Sequence, residues 1–112
     1  MMDLNALIAL AAQRHACTEA EYPELVGKDA QQHLVFALRH SAIHFAKTAG
    51  KIAAASEAAD HGGELNIEEL RLNVPKALIN ALRLAELVGM KGEEIEESLE
   101  EKRIVGAPYA PL

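Results

Sequence analysis

The side chains best suited to chemistry form a stripe of bases along one predicted helix. Consecutive helical residues turn by about 100°, so the spacing of these bases places them within roughly 60° of arc. No Asp or Glu occurs between Asp29 and Glu57, although an ordinary solvated helix mixes acids and bases at i,i+4 positions. Such a face can bind phosphate or the carboxylates of a partner. The stripe consists of His33, His40, His44, Lys47 and Lys51.

A second polar stripe recurs at helical spacing later in the chain, among residues that are nearly all apolar. Between Leu70 and Ala85 there is again no acid. Because mostly apolar helices are buried, we expect the two stripes to face a shared groove or a subunit interface instead of open water. The members of the second stripe are Glu69, Asn73, Lys76, Asn80 and Arg83.

Two other interpretations of these stripes remain open. The lysines and the arginine can be solvated side chains that lie along apolar surface with their charges in water. His40 and His44, with His33 two turns earlier, could bind a transition metal, for which Asp60 and His61 are the nearest further ligands. Histidines that hydrogen-bond within a groove or an interface are the commoner case, so we assign no metal site to the chain.

Composition predicts the class of fold that positions these stripes. The chain has 112 residues, enough for one compact domain, and its 21 Ala and 15 Leu against 4% aromatic residues favour helix over sheet. We therefore expect a single all-α domain over residues 1–104. A C-terminal tail over residues 105–112, with two prolines and no periodicity, is expected to be extended or loose.

Four helices are predicted from the apolar periodicity, and the two central ones are long. Asp3, Asp29 and Asn66 each stand where a helix begins, and Gln or Glu follows the latter two after three residues, as in a capping box. Gly62 ends the second helix, and Pro75 is expected to kink or interrupt the third. The predicted helices span residues 4–16, 30–58, 67–88 and 92–104.

The net charge of −6 argues against general binding to duplex nucleic acid. However, residues 30–56 and 70–85 together hold six of the eleven Lys and Arg residues and none of the seventeen acids, so a small phosphate ligand in an inner groove is compatible with the sequence. The chain shows no basic signal-peptide region and no apolar stretch long enough to span a bilayer. With a single cysteine, Cys17, no internal disulfide can form. These features predict a cytoplasmic protein with no membrane partner.

The second predicted helix also carries a broad apolar face opposite its basic stripe, which we expect to pack on other helices. Long apolar helices in a chain of this length have more apolar surface than one four-helix unit covers. We therefore expect a homodimer that completes a helical bundle. The apolar face consists of Leu34, Val35, Leu38, Ala42, Phe45, Ala49, Ile52 and Ala53.

Three segments carry a resemblance to a known family. They are residues 44–53 (HFAKTAGKIA), 73–89 (NVPKALINALRLAELVG) and 93–102 (EEIEESLEEK). In this order, and over residues 30–103, the chain resembles the MazG-like all-α nucleotide pyrophosphohydrolases. The resemblance implies a four-helix bundle and a dimer. It also implies a nucleoside triphosphate bound through Mg²⁺, which that family holds with the carboxylates of a Glu-Glu-x-x-Glu and a Glu-x-x-Asp pattern.

The chain departs from that family's pattern at the metal-binding positions. Laying residues 49–52 on the family's first helix puts Lys47, Thr48 and Lys51 at the three acidic positions. Asn73 and Lys76 then stand at the second pair. Hard cations need oxygen ligands, and ammonium groups repel them, so we assign no catalytic residue and no cofactor, Mg²⁺ included.

The sequence therefore favours a degenerate MazG-like protein that binds a phosphate-bearing ligand or a protein partner. One alternative is an active pyrophosphohydrolase with unconventional metal ligands, such as Glu69 or acids of another subunit. The other alternative is a purely structural module for oligomerisation. The residues expected to bind the ligand are His40, His44, Lys47, Thr48, Lys51, Asn73, Lys76, Asn80 and Arg83.

Overall fold

Four α-helices make up most of the described part of the chain. The computed structural model describes residues 1–105, with side chains described through Glu101. The helices are α1 (Leu4–Arg14), α2 (Ala30–Glu57), α3 (Ile67–Leu87) and α4 (Gly92–Val105), with short 3-10 turns at Pro23–Leu25 and Ala58–His61. No strand occurs within residues 1–105, which confirms the all-α class for that part. The predicted tail lies outside the described residues, except that Val105 ends α4.

Local hydrogen bonds start three of the helices where the sequence predicts. The side chain of Asp3 accepts a hydrogen bond of 2.8 Å from the backbone N–H three residues on. Asp29 and Gln32 form a complete capping box at the start of α2. The side chain of Asn66 accepts the N–H of Glu69 at 3.1 Å. Each cap satisfies a backbone donor that the helix itself leaves without a partner.

The helices begin where predicted, and three of them end within one residue of the predicted position; the end of α1 and the course of α3 differ more. Helix α1 ends at Arg14, with His15 as its C-cap, two residues earlier than expected. Helix α3 runs unbroken through Pro75, whereas we expected a kink or an interruption. Proline removes one i→i−4 hydrogen bond, and packing along the rest of α3 offsets that loss. Gly62 does end the turn after α2, at a φ of 81° that residues with a Cβ rarely adopt.

Helices α2 and α3 form a hairpin and make the most extensive contact in the fold. The contact uses small and polar side chains, which let the two backbones approach closely. Thr48 lies at its centre, where its hydroxyl oxygen accepts a hydrogen bond of 3.4 Å from the side-chain amide of Asn80. The buried residues of the contact are Ala37, Ser41, Thr48 and Ala55 from α2, and Asn73 and Asn80 from α3.

The buried residues of α2 lie between its basic stripe and the predicted apolar face, so that apolar face is only partly buried in the single chain. Its larger side chains are half-buried at the edge of the hairpin, and its smaller ones are exposed. The half-buried residues are Leu34, Leu38, Phe45 and Ile52, and the exposed ones are Val35, Ala42, Ala49 and Ala53. This face lies on the surface of a single chain.

The apolar core lies on the other side of α3, where α1 packs against it. Ile8 and Ala11 of α1 meet Leu82 of α3. Asn5 fastens α4 to α1, because its side-chain oxygen accepts the N–H of Gly92 and its amide donates to Glu93, both at 2.8 Å. Helix α1 is therefore held between α3 and α4, with its C-terminal end beside the α2–α3 hairpin.

Candidate functional site

A groove of about 700 Å³ opens where the C-terminal end of α1 meets the α2–α3 hairpin. Six of the side chains that line it are basic or can become so: Arg14, His15, His44, Lys47, Lys51 and Lys76. Thr48 and Asn80 line its floor, with Pro75 and Ile79 on the α3 side. No carboxylate among the described residues lines this cavity, which we call the cationic groove.

The cationic groove brings together six of the nine residues expected from the sequence. These are His44, Lys47, Thr48, Lys51, Lys76 and Asn80. His40 lies in an adjoining cavity of about 130 Å³, which shares Arg14, His15, His44 and Asn80 with the groove. Part of each stripe therefore lines one shared cavity, whereas His33 of α2 and Glu69 of α3 lie outside it. Asn73 and Arg83 lie outside its lining.

Asn73 does not line the groove, because it is buried and its amide nitrogen donates to Glu69. The side chain is 1% exposed. Its amide nitrogen donates to the backbone oxygen of Glu69 at 2.8 Å and to the side-chain carboxylate of Glu69 at 3.0 Å. A buried donor with two acceptors stabilises the helix start and has no hydrogen left for a ligand.

Replacing Asn73 with Asp is expected to destabilise the fold strongly. The change exchanges a buried double donor for a carboxylate that faces the carbonyl and the carboxylate of Glu69, so both hydrogen bonds become repulsive contacts. We expect a loss of about 2–4 kcal/mol in the free energy of unfolding, measured by urea denaturation. The matched control is Asn66→Asp, where the side chain accepts a hydrogen bond and the cap survives. Equal stability of the two variants would contradict this account of Asn73.

Arg83 does not line the groove either, because its guanidinium contacts the end of α1 and Glu86. Its side chain is only 9% exposed. The guanidinium Nε donates to the backbone oxygen of His15 at 3.3 Å, and a terminal nitrogen pairs with Glu86 on the same helix. Arg83 therefore holds the C-cap of α1 against α3, and this contact places the His15 side chain at the groove.

Arg14 and His15 are groove residues that the sequence did not single out. They lie at the end of the first helix, which is separated from α2 by a loop of irregular composition. Nothing in their local spacing relates them to the stripes of α2 and α3. The one sequence feature that could have indicated them is a basic residue, Arg14, in the last turn of α1. Basic residues are common at that position because they interact favourably with the helix dipole, so this feature does not by itself indicate a binding site.

An aromatic cluster supports the imidazoles at one end of the groove. The hydroxyl of Tyr22 and Nε2 of His40 share a hydrogen bond of 2.8 Å. The rings of Phe36 and His40 stack with their centroids 5.7 Å apart and a 9° angle between planes. The ring of His44 follows one turn later, 4.5 Å from that of His40. These contacts fix His40 between the loop and the groove.

The environment of His15 and His40 disfavours their charged forms. Burial lowers the pKa of His15, and the nearby His44, Arg83 and Arg14 lower it further. Burial also lowers the pKa of His40, with additional contributions from His44, His15 and Lys47. Both shifts favour the uncharged form of these two imidazoles at neutral pH. The permanent positive charge of the groove comes from its lysines and Arg14.

These pKa shifts predict that the free protein loses stability in mild acid. A group whose folded pKa lies below its unfolded value binds more protons when unfolded, so protons favour unfolding. The loss sets in as the pH falls through the ordinary histidine value of 6.5. We expect the melting temperature, followed by circular dichroism in chloride buffers, to fall between about pH 7.5 and about pH 5.5. A His15→Gln variant should show a smaller decrease; an equal one would contradict this origin.

The histidines do not assemble a metal centre. Nε2 of His33 lies 3.2 Å from the backbone oxygen of Leu25 and 3.7 Å from the carboxylate of Glu19. His61 pairs with Glu57 at 3.0 Å on the exposed end of α2. Among the residues whose side chains are described, no three His, Cys, Asp or Glu side chains lie close enough to hold one metal ion.

The chemistry of the groove is inferred from its own side chains and not from a related protein. Comparison of the chain with protein-family models, with curated proteins and with solved structures finds no match. In the described part of the chain, no helix has both the length and the apolar character needed to cross a bilayer.

Proposed function

We propose that the protein is a MazG-like helical domain that binds a small phosphate-bearing ligand in the cationic groove. The observation that carries this proposal is a cavity of about 700 Å³ with six basic or potentially basic side chains and, among the described residues, no carboxylate in its lining. The chain as a whole has a net charge of −6, so the positive charge of the groove is opposite in sign to that of the whole protein. A concave cationic surface with partly apolar walls focuses its field on an anion.

The floor of the groove supplies hydrogen bonds to complement these charges. Thr48 and Asn80 are nearly buried and already paired. The Asn80 amide donates to the Thr48 oxygen, and a threonine that accepts in this way can still donate its own hydroxyl hydrogen to a ligand oxygen. Lys47, Lys51 and Lys76 are exposed at the rim, where flexible ammonium groups bind phosphate as point charges.

The groove does not suit the Mg²⁺ ion on which the resembled family depends. Lys47, Thr48 and Lys51, which the resemblance would align with that family's acids, line the cavity from α2, and Lys76 lines it from α3. Mg²⁺ is held through carboxylates, waters and substrate phosphates, and this lining provides ammonium groups in place of the carboxylates. We therefore propose binding without Mg²⁺-dependent hydrolysis by this site.

We also propose that a second copy of the chain covers the apolar flank of the hairpin. Apolar side chains on this flank are exposed in the single chain, since Val35 is 45% exposed and Val74 and Leu78 are each 54% exposed. Exposed apolar patches mark sites of association, and a second copy of the same chain is the commonest partner in soluble oligomers. The exposed apolar residues of this flank are Val35, Ala42 and Ala49 of α2 and Val74, Leu78 and Ala81 of α3.

This arrangement leaves the groove open. His44, Lys47 and Lys51 line the groove from one side of α2, and Val35, Ala42 and Ala49 lie roughly opposite them on the helical wheel. Two hairpins that pack through these apolar flanks form a four-helix bundle, with one cationic groove on the outer side of each hairpin.

Isothermal titration of the protein with pyrophosphate tests the proposed ligand class. We expect binding with a Kd on the order of 10⁻⁵ M, about −7 kcal/mol, that weakens as salt is added because the groove acts through charge. The absence of heat and of amide chemical-shift changes at millimolar pyrophosphate would contradict the proposal. Release of pyrophosphate from nucleoside triphosphates with Mg²⁺, lost in a Glu69→Gln variant, would favour an active hydrolase instead.

A further inference from the structure

Three imidazoles from two helices meet at the junction between the cationic groove and the adjoining cavity. His15 caps α1, and His40 and His44 lie one turn apart on α2 with their ring centroids 4.5 Å apart. His15 and His44 line both cavities, and His40 lines the smaller one. An anion bound in the groove would therefore lie against this cluster. His15 and His44 belong to the six basic or potentially basic side chains of the groove, and the other four are its lysines and Arg14.

The charged groups around the cluster are mostly positive. Helix α1 contributes Arg14, α2 contributes Lys47, and α3 contributes Arg83, whose charge is partly offset by its pair with Glu86. The loop before α2 contributes the neutral hydroxyl of Tyr22 and the carboxylate of Glu21 in the wall of the smaller cavity. A proton added to one imidazole therefore meets repulsion from several sides when the groove holds no anion.

Burial and this repulsion already act on the free protein. They lower the pKa of His15 and of His40, with His44 the largest charged contributor in each case. The contacts of His40 survive protonation, because the Tyr22 hydroxyl can accept a hydrogen bond from an imidazolium as well as donate one to a neutral ring. His40 can therefore gain a proton while it keeps its contact with Tyr22.

We propose that anion binding in the cationic groove is coupled to proton uptake by the His15, His40 and His44 cluster, so that the groove holds its ligand more tightly in mild acid. The proposal rests on the proposed function, because it needs an anion in the groove. Each bound proton comes from solvent and adds one positive charge beside the ligand. By thermodynamic linkage, the factor by which a bound anion raises the proton affinity of the cluster equals the factor by which protonation raises the anion affinity of the groove.

The size of the effect follows from the same linkage. Each imidazole whose pKa rises by about one unit on binding contributes up to about a tenfold gain in affinity over the range in which it becomes charged. Ordinary histidines change charge between about pH 5 and pH 8. A groove that used only its lysines and Arg14 would have nearly constant affinity over that range.

Sulfate is the probe that tests this coupling, because its own charge stays constant through the whole range. We expect the full-length protein to bind sulfate at least about tenfold more tightly at about pH 5.5 than at about pH 8, at constant ionic strength. Histidine signals in two-dimensional NMR spectra provide a second readout. The pKa values of His15 and His40 should rise when sulfate replaces chloride.

Matched histidine variants separate the cluster from the general effect of pH on net charge. In His15→Gln/His44→Gln, we expect the affinity ratio between the two pH values to fall to about twofold or less. His33→Gln/His61→Gln removes two histidines outside the groove and should keep the parent's ratio. If the first variant does not fold, His44→Gln alone serves, because the exposed side chain of His44 can be replaced without disturbing the core.

The outcomes distinguish this proposal from the proposed function. Sulfate binding that is equally tight at both pH values, or an unchanged ratio in the groove variants, overturns the coupling and leaves the cationic groove as an anion site. Failure to bind sulfate or pyrophosphate at either pH overturns both proposals. A steep pH dependence that disappears in the groove variants and persists in the control supports the coupling.

Discussion

Reversing the charges of Lys47 and Lys51 together is expected to weaken pyrophosphate binding by about 100-fold or more. Both side chains line the cationic groove from α2, one turn apart, with Thr48 between them. The Lys47→Glu/Lys51→Glu variant replaces two attractive charges with two repulsive ones beside the same anion. Both positions are exposed, so the helix and the hairpin contact should remain intact.

The control for this prediction has the same net charge. Lys28→Glu/Arg39→Glu makes the same change in total charge at two exposed positions that do not line the groove. We expect this variant to bind pyrophosphate within about threefold of the parent at physiological salt, because exposed charges beyond the Debye length are screened. Isothermal titration and circular dichroism of all three proteins provide the comparison. Equal weakening in both variants would show that the effect comes from total charge, and it would contradict the assignment of pyrophosphate binding to the groove.

Placing two carboxylates on the apolar flank is expected to convert a dimer into a monomer. Ala42 of α2 and Leu78 of α3 are exposed in the single chain and lie on the flank that we assign to the second copy. In a symmetric dimer, Ala42→Glu/Leu78→Glu would bury four unpaired carboxylates. Burying an uncompensated charge costs several kcal/mol, so we expect the dimer Kd to rise by about 1000-fold or more.

Analytical ultracentrifugation at micromolar concentration measures this change, and an exposed apolar pair elsewhere provides the control. Val26 is 62% exposed in the loop before α2 and Leu99 is 52% exposed on α4, and neither lies on the apolar flank. Val26→Glu/Leu99→Glu carries the same added charge and should remain dimeric. A parent protein that is monomeric at this concentration would contradict the second copy. A dimer that tolerates the flank variant would place its interface elsewhere.

The two large effects should be independent, because the groove and the apolar flank lie on opposite sides of the hairpin. The monomeric flank variant should still bind pyrophosphate, and the groove variant should still form a dimer. Loss of both properties in either variant would instead indicate that the dimer interface reaches into the groove. The chain would then need its partner to complete the binding site.

Much of the fold is encoded in short stretches of the sequence. Asp3, Asp29 and Asn66 start helices because an N-cap needs only a side-chain acceptor and the N–H groups two or three residues later. Gly62 ends the turn after α2 because its positive φ is a local requirement. These interactions span a few residues, so a single sequence is enough to predict them.

The composition of the groove was partly predictable for a similar reason. Positions one or two turns apart share a helix face wherever that helix lies, so the absence of acids near Lys47, Lys51 and Lys76 already indicated a cationic stripe. The sequence could not indicate how the two stripes were arranged around one cavity. That arrangement depends on the rotation of α2 and α3 about their axes in the hairpin.

The sequence by itself determined the helices, their caps and the acid-free stripes, because each depends on neighbours within one or two turns. The tertiary structure alone decided which faces meet. Close approach of α2 and α3 selected small and polar side chains such as Thr48 and Asn80 for the contact and left the larger apolar side chains at the flank. It also placed Asn73 and Arg83 in buried hydrogen bonds and brought His15 to the groove through a contact with Arg83, which is 68 residues further along the chain. Such choices depend on desolvation and packing between distant segments, and no local pattern encodes them.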